Sequence, residues 1–219
     1  TRDDEPCLMS SELFSKTGSE IDFRENLSSL TSSDILHLHW VSGVLDYANI
    51  DVISDQAIVW TLADMNAFTG GCHYSEGCEQ YKEECRNCPL INSDSDLPYR
   101  SWITKKEAYS KLKNLTIICP SNWLADKVRQ SSLLRHLKTV VIPNPAPLSE
   151  FQLVNKRVAR LRLGLPINKK YILFGADSVS NKRKGGSILL ESLRRFGKYS
   201  SAANVQILFF GDNPFEVPF

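Results

Sequence analysis

The chain has 219 residues, 42% of them hydrophobic and 23% charged, a globular composition with length for one large domain or two small ones. Its 26 Lys and Arg against 25 Asp and Glu leave a formal charge of +1, so no global field recommends nucleic acid or an anionic membrane surface, and any anion site has to be local. Apolar runs stop at roughly seven residues against the ~20 of a transmembrane helix, and no secretory leader pattern is visible after Thr1.

Residues 1–33 are rich in Ser, Asp and Glu, with one amphipathic turn around Ile21, Phe23 and Leu27, and predict a ragged lead-in. Asp34–Trp40 is a short apolar run ended by Ser42-Gly43, the pattern of a buried parallel strand that opens onto a loop. A helical stretch with Leu45, Ile50 and Ile53, then a second run from Ala57 to Leu62, completes a β-α-β unit. Beyond a polar, cysteine-bearing loop, Tyr99–Lys113 has Trp102, Ala108, Tyr109 and Leu112 at helical spacing. Thr116–Pro120 reads as the next strand, Ser121 as an N-cap, Trp123–Leu134 as a helix and Thr139–Ile142 as a fourth strand.

Pro143, Pro145 and Pro147 then form a stiff connector, because proline cannot continue a helix or a central strand. The expected organisation is a Rossmann-like domain over 1–145, a linker over 146–155, and the start of a second such domain over 156–219. In that second part Lys156–Leu163 reads as a basic helix, Tyr171–Ala176 and Val205–Phe210 as strands, and Ser187–Phe196 as the helix between them. Two strands are too few for a complete doubly wound domain, so the expectation is an α/β chain whose second domain is truncated.

The loop after the second strand holds Cys72, Cys78, Cys85 and Cys88 with the spacing C-x₅-C-x₆-C-x₂-C. Four thiolates around zinc make a closed tetrahedral site, suited to stapling a loop without a core of its own. Two disulfides or free thiols are the other uses, and His73 could stand in for Cys72 as a ligand. Catalytic zinc is not expected, since four sulfur ligands leave no open position. Cys7 and Cys119 have no partner pattern and read as a surface and a core thiol.

The string WTLADMNAFTGGCHYSEGCEQYKEECRNCP from Trp60, with HLHW before it and PSNWLADKVRQSSLL, VIPNP, ARLRLGLP and KRKGG after it, resembles bacterial family four glycosyltransferases of the GT-B fold. The branch it is most similar to builds exopolysaccharide and capsule repeat units, and the resemblance runs from about Asp34 to Phe210. It implies transfer of a sugar from a nucleotide-diphosphate donor to a glycan or lipid-linked acceptor, with retention. It also implies no catalytic metal, an acceptor-binding first domain and a donor-binding second one. The setting would be cytoplasmic, at the inner face of the membrane with peripheral association.

In chemical terms, diphosphate departure needs positive charge and backbone donors. Lys182, Arg183 and Lys184 before Gly185-Gly186, at a strand-to-helix turn, supply both. Lys184 matches the lysine of the family's Lys-Gly motif, with Arg183 and Gly185 beside it. A solvated basic face is the plainer reading of the same residues. On the acceptor side, His39, Thr69, His73 and Tyr74 could hydrogen-bond sugar hydroxyls, and Gly70-Gly71 would admit close backbone approach or simply make a tight turn. Trp40, Trp60 and Trp123 read as core or cleft wall.

One departure stands out. Where relatives of that branch read His-Asp-Met-Trp, this chain has Ala63, Asp64, Met65 and Asn66, and alanine can neither hydrogen-bond nor move a proton. Asp64 is the polar group left at that strand end and, with the Ala63 position, the candidate catalytic locus. A catalytically impaired or non-catalytic nucleotide-sugar or glycan-binding protein of the same fold is the alternative.

Overall fold

The computed structural model describes residues 13–18, 32–91, 95–179, 181–199, 204–212 and 216. The amphipathic turn near Ile21, Cys7 and most of the last residues lie outside them. The chain divides into two compact units, Thr1–Pro145 and Ala146–Phe219.

The first unit is built on a parallel sheet of β1 (Ile35–Leu38), β2 (Ala57–Thr61), β3 (Asn114–Cys119) and β4 (Lys138–Val141), in that order. These are β-branched runs, which suit the pleat. The register sets Leu38 opposite Trp60 and Trp60 opposite Ile117, so the carboxyl ends of the strands finish level. Helix α1 (Leu97–Lys111) starts with Pro98 in its first turn, where a missing N–H costs nothing, and α2 (Asn122–Gln130) follows β3. Ser121 caps α2, its Oγ accepting from Leu124 N at 3.2 Å. Ile58, Trp60 and Ile117 from the sheet, Trp102 and Tyr109 from α1, and Leu124 and Val128 from α2 share one buried core.

Three local expectations change. The segment around Leu45–Ile53 is a 3-10 turn, Tyr47–Ile53, rather than an α-helix. Its short polar side chains compete with the backbone: Asp46 accepts from Ala48 N at 3.0 Å and from Asn49 Nδ2 at 2.6 Å, and Asn49 leaves helical geometry. The helix expected to reach Leu134 stops at Gln130, because Ser131 Oγ accepts from Leu133 N (3.1 Å) and Leu134 N (3.4 Å) and starts a separate turn. β1, expected to be buried, is the edge of the sheet among the described strands, leaving Ile35 61% exposed and His37 in solvent, bonded to Thr61 Oγ1 at 2.8 Å.

The tryptophans separate as well. Trp60 is core, whereas Trp40 and Trp123 are exposed, the latter with Lys127 Nζ 5.9 Å from its ring centroid.

The second unit holds α3 (Lys156–Arg162), β5 (Lys170–Ser178), α4 (Gly186–Phe196) and β6 (Val205–Asp212), with β5 and β6 paired in parallel across the connection through α4. Together the units form a mixed α/β chain with parallel sheets, consistent with a Rossmann-like organisation. Among the described residues, no helix is long and apolar enough to cross a membrane.

Candidate functional site

In parallel α/β sheets, ligand contacts gather beyond the carboxyl ends of the strands, and the chain leaving β2 fills that place here. It turns at Asn66–Phe68 and comes back alongside a preceding segment: His73 N donates to Leu13 O (2.9 Å), Ser15 N to Gly71 O (2.9 Å), and Phe14 bridges Cys72 in antiparallel fashion. Met65 N donates to His73 O at 3.0 Å and closes the loop on itself.

That fold-back brings Asp64 and His73 together in the interior. Asp64 Oδ2 accepts from His73 Nδ1 at 2.7 Å, and Oδ1 accepts from Asn66 N at 2.7 Å. The carboxylate sets the ring's tautomer, leaving Nε2 to accept from the Ser15 hydroxyl at 2.8 Å. Trp40 lies flat on the imidazole, ring centroids 4.9 Å apart and planes within 7°. His73 is fully buried and Asp64 only 8% exposed. With both oxygens engaged and little exposure, Asp64 acts on the site by holding His73 and the Asn66 turn. It is a positioning residue.

Beside this pair an open cleft of about 260 Å³, counting its solvent side, is lined by His39, Trp40, Ser42, Ala63, Asp64 and Asn66 among others. His39 and Ala63 are both exposed there. His39 is the imidazole on the cleft wall, and the methyl of Ala63 is chemically inert beside it. An aromatic face, an imidazole and a serine hydroxyl together suit a polyhydroxylated ligand.

The remaining acceptor-side candidates are placed differently. Thr69, Gly70 and Gly71 are buried, and their polar groups serve the loop: Thr69 Oγ1 donates to Cys72 O (2.7 Å) and accepts from Gly71 N (3.2 Å), while Asn66 Nδ2 donates to Gly71 O (2.7 Å). The glycines do admit close approach, but of this chain's own atoms. A Cβ at Gly70 would press on the Pro98 carbonyl oxygen and lie 2.7 Å from Cys85 Cβ, and one at Gly71 would enter the Phe14 ring. Gly70→Ala is therefore expected to destabilise the first unit by about 1–3 kcal/mol through overpacking, read as a lower denaturation midpoint. Tyr74 is half-buried and not part of the cleft lining.

Lys105 is the residue that the sequence reading passed over. It is 1% exposed, and its Nζ donates to Asn66 O (2.5 Å), Thr69 O (3.2 Å) and Asn66 Oδ1 (3.3 Å). Burial brings its pKa down to about 8, opposed by Cys72, Cys85 and Asp64 nearby. A signal was present, since Lys105 is three residues from Trp102 and four from Tyr109, on the apolar face of the helical pattern. Tyr109 adds a bond from its hydroxyl to Ala67 O at 2.5 Å.

Cys72, Cys78, Cys85 and Cys88 are all free, and they line one further pocket of about 370 Å³, counting its solvent side. Cys72 and Cys85 are buried, and burial pushes their thiols up to about 11 and about 12. Cys119 is a core thiol of β3, as expected.

In the second unit Lys182, Arg183 and Lys184 form an exposed 3-10 turn between β5 and α4. Asn181 Oδ1 accepts from Arg183 N at 3.0 Å, and Gly185 takes the left-handed conformation (φ +81°) that starts α4 without a side-chain cap.

No family model matches the chain. A protein named as a colanic acid biosynthesis glycosyl transferase, WcaC of Escherichia coli (strain K12), is 32% identical over 78 residues, covering 33% of this chain and 19% of that protein. The chain is thus related to a glycosyltransferase, and the match spans under a fifth of that relative's length.

Proposed function

We propose that the chain serves sugar transfer from a nucleotide-diphosphate donor to a glycan or lipid-linked acceptor, with retention, in assembly of a surface polysaccharide, as a GT-B protein of glycosyltransferase family four. The observation that carries this reading is the cleft at the ends of β1 and β2, with His39, Trp40 and Asp64 on its wall, in a chain that matches a named glycosyl transferase. The first unit takes the acceptor and the second takes the diphosphate.

The chemistry follows from the parts. As the sugar–phosphate bond lengthens, negative charge gathers on the departing diphosphate. The Lys184 ammonium, the Arg183 guanidinium and the first amides of α4 would stabilise it at no cost in reorganisation. Charge stabilisation of this kind replaces a catalytic metal. On the acceptor side the buried His73 backs the cleft, stacked under Trp40 and fixed by Asp64, and His39 is the imidazole that faces the ligand. The working location under this reading is the cytoplasmic face of a membrane, with peripheral association.

A specific observation favours a second reading, a binding protein without turnover: Ala63 carries no functional group into the cleft, and Asp64 is fully engaged. Weak or absent turnover is expected of the chain as it stands. Ala63→His separates the two readings. A gain of roughly 10²-fold or more in nucleotide-diphosphate release, the scale of general acid–base help, is expected of a damaged transferase. No gain, with nucleotide binding intact, assigns the fold to binding alone.

A further inference from the structure

The cysteine loop and the buried lysine explain one another. Lys105 is an ammonium in the interior, and among the described residues its hydrogen-bond acceptors are all neutral oxygens, with no ion pair to a carboxylate. A buried charge of this kind needs an opposite charge nearby. Cys72, Cys85 and Asp64 are close enough to act on it electrostatically, but the Asp64 carboxylate is bonded to His73 and Asn66, and the two cysteines as thiols offer no charge.

We propose that Cys72, Cys78, Cys85 and Cys88 hold one zinc ion in a tetrahedral site, and that the Lys105 ammonium is the buried counter-charge of that site. Four thiolates around a divalent ion carry a net double negative charge, which Lys105 partly neutralises. Binding transfers the four thiol protons to solvent as the sulfur–zinc bonds form.

Three geometric observations carry this. The four sulfur-bearing residues line a single open pocket, which places all four candidate ligands on one wall-bounded space with Thr69 and Gly70. One peptide joins metal ligand and counter-charge: Thr69 O accepts from Lys105 Nζ at 3.2 Å, and the N–H of the same peptide, on Gly70, donates to Cys85 Sγ at 3.1 Å. Its dipole points its positive end at sulfur and its negative end at the ammonium, an outer-shell arrangement that favours thiolate. Finally, the backbone turns sharply around the cavity, with Glu76 (φ +46°) and Gly77 (φ +91°) before Cys78 and Asn87 (φ +47°) between Cys85 and Cys88. Among the described residues no three His, Cys, Asp or Glu side chains are grouped closely enough to hold a metal as they stand, so binding draws the sulfurs inward across the cavity. Cys78 and Cys88 are half-buried and lie outside helix and strand.

The site goes beyond sugar transfer and stands whether or not the chain transfers anything. The first test uses the whole chain, expressed with zinc and purified without chelator. Elemental analysis is expected to give about one zinc per chain, and cobalt in its place to give a sulfur-to-metal charge-transfer band with tetrahedral ligand-field absorption. Native alkylation should modify these four cysteines only after the metal is stripped. A chain free of metal with all four cysteines readily alkylated, or one with two disulfides by mass spectrometry, overturns the site.

The counter-charge is tested by Lys105→Met, or by Lys105→Gln should the first not fold. Cobalt affinity is expected to fall roughly 10–100-fold, with the charge-transfer band retained. Unchanged affinity overturns the role of Lys105, and neither result depends on an activity assay.

Discussion

Replacing Lys184 by Ala is expected to lower affinity for nucleotide diphosphates by roughly ten- to a hundredfold, the equivalent of losing one charge-assisted hydrogen bond of about 1.5–3 kcal/mol. The residue sits in the exposed turn Lys182–Lys184 directly before the left-handed Gly185 and the first amides of α4. Its contribution is additive with a helix terminus that already favours an anion. Stability should hardly change, because Lys184 is exposed and packs no core. Calorimetric titration of the variant against a nucleotide diphosphate checks this, alongside Lys198→Ala as a control on the same charge count. A drop shared equally by both variants would mean a general basic surface and no site.

Asp64→Ala carries the largest expected cost to stability, about 2–5 kcal/mol for leaving two buried donors without an acceptor. The substitution strips His73 Nδ1 and Asn66 N of their acceptor together, inside a loop whose other bonds depend on that turn. Asp64→Asn should cost less, since an amide oxygen can still accept from Asn66 N. Thermal unfolding followed through tryptophan fluorescence reads the first unit directly, because Trp40 stacks on His73. A melting temperature in Asp64→Ala matching the parent would remove Asp64 from its positioning role.

The succession of strands and helices along the chain, and the placement of the loops, were legible in the sequence for a plain physical reason. Short β-branched runs such as Ala57–Leu62 and Thr116–Cys119 alternate with helical spacing around Trp102 and Tyr109, and right-handed crossover connections allow few ways to assemble them. Side-chain competition was harder to read. Asp46 with Asn49, and Ser131 with the amides that follow it, decide the form of their segments through individual hydrogen bonds that periodicity does not register.

The candidate site was legible in residue type and less so in role. Thr69, Gly70 and Gly71 lie where the glycine-bearing loop suggested, yet their atoms are spent on Cys72, Pro98 and Phe14 instead of facing a ligand. Asp64 and His73 are nine residues apart, and only the fold-back of the loop against residues 13–15 shows that they are one unit with Ser15. Lys105 was hidden by its charge. A lysine on an apolar helical face is ordinarily read as snorkelling to solvent, whereas here it is enclosed by Asn66 and Thr69.

These assignments divide the labour. Under the proposed readings the cysteines staple the loop, the loop holds His73 and Asp64, and the ligand contacts fall to His39 and the cleft on one unit and to the basic turn on the other. The Lys105–Thr69–Gly70–Cys85 connection ties the first two levels together, since Lys105 also bonds Asn66, whose amide is held by Asp64.

The most direct test of the central claim is a titration of the isotope-labelled chain with nucleotide-diphosphate sugars, followed by amide chemical-shift changes. The expected result is saturable shifts centred on Lys182–Ile188, competed by the free nucleotide diphosphate. Saturating ligand that leaves those amides unmoved would contradict the account.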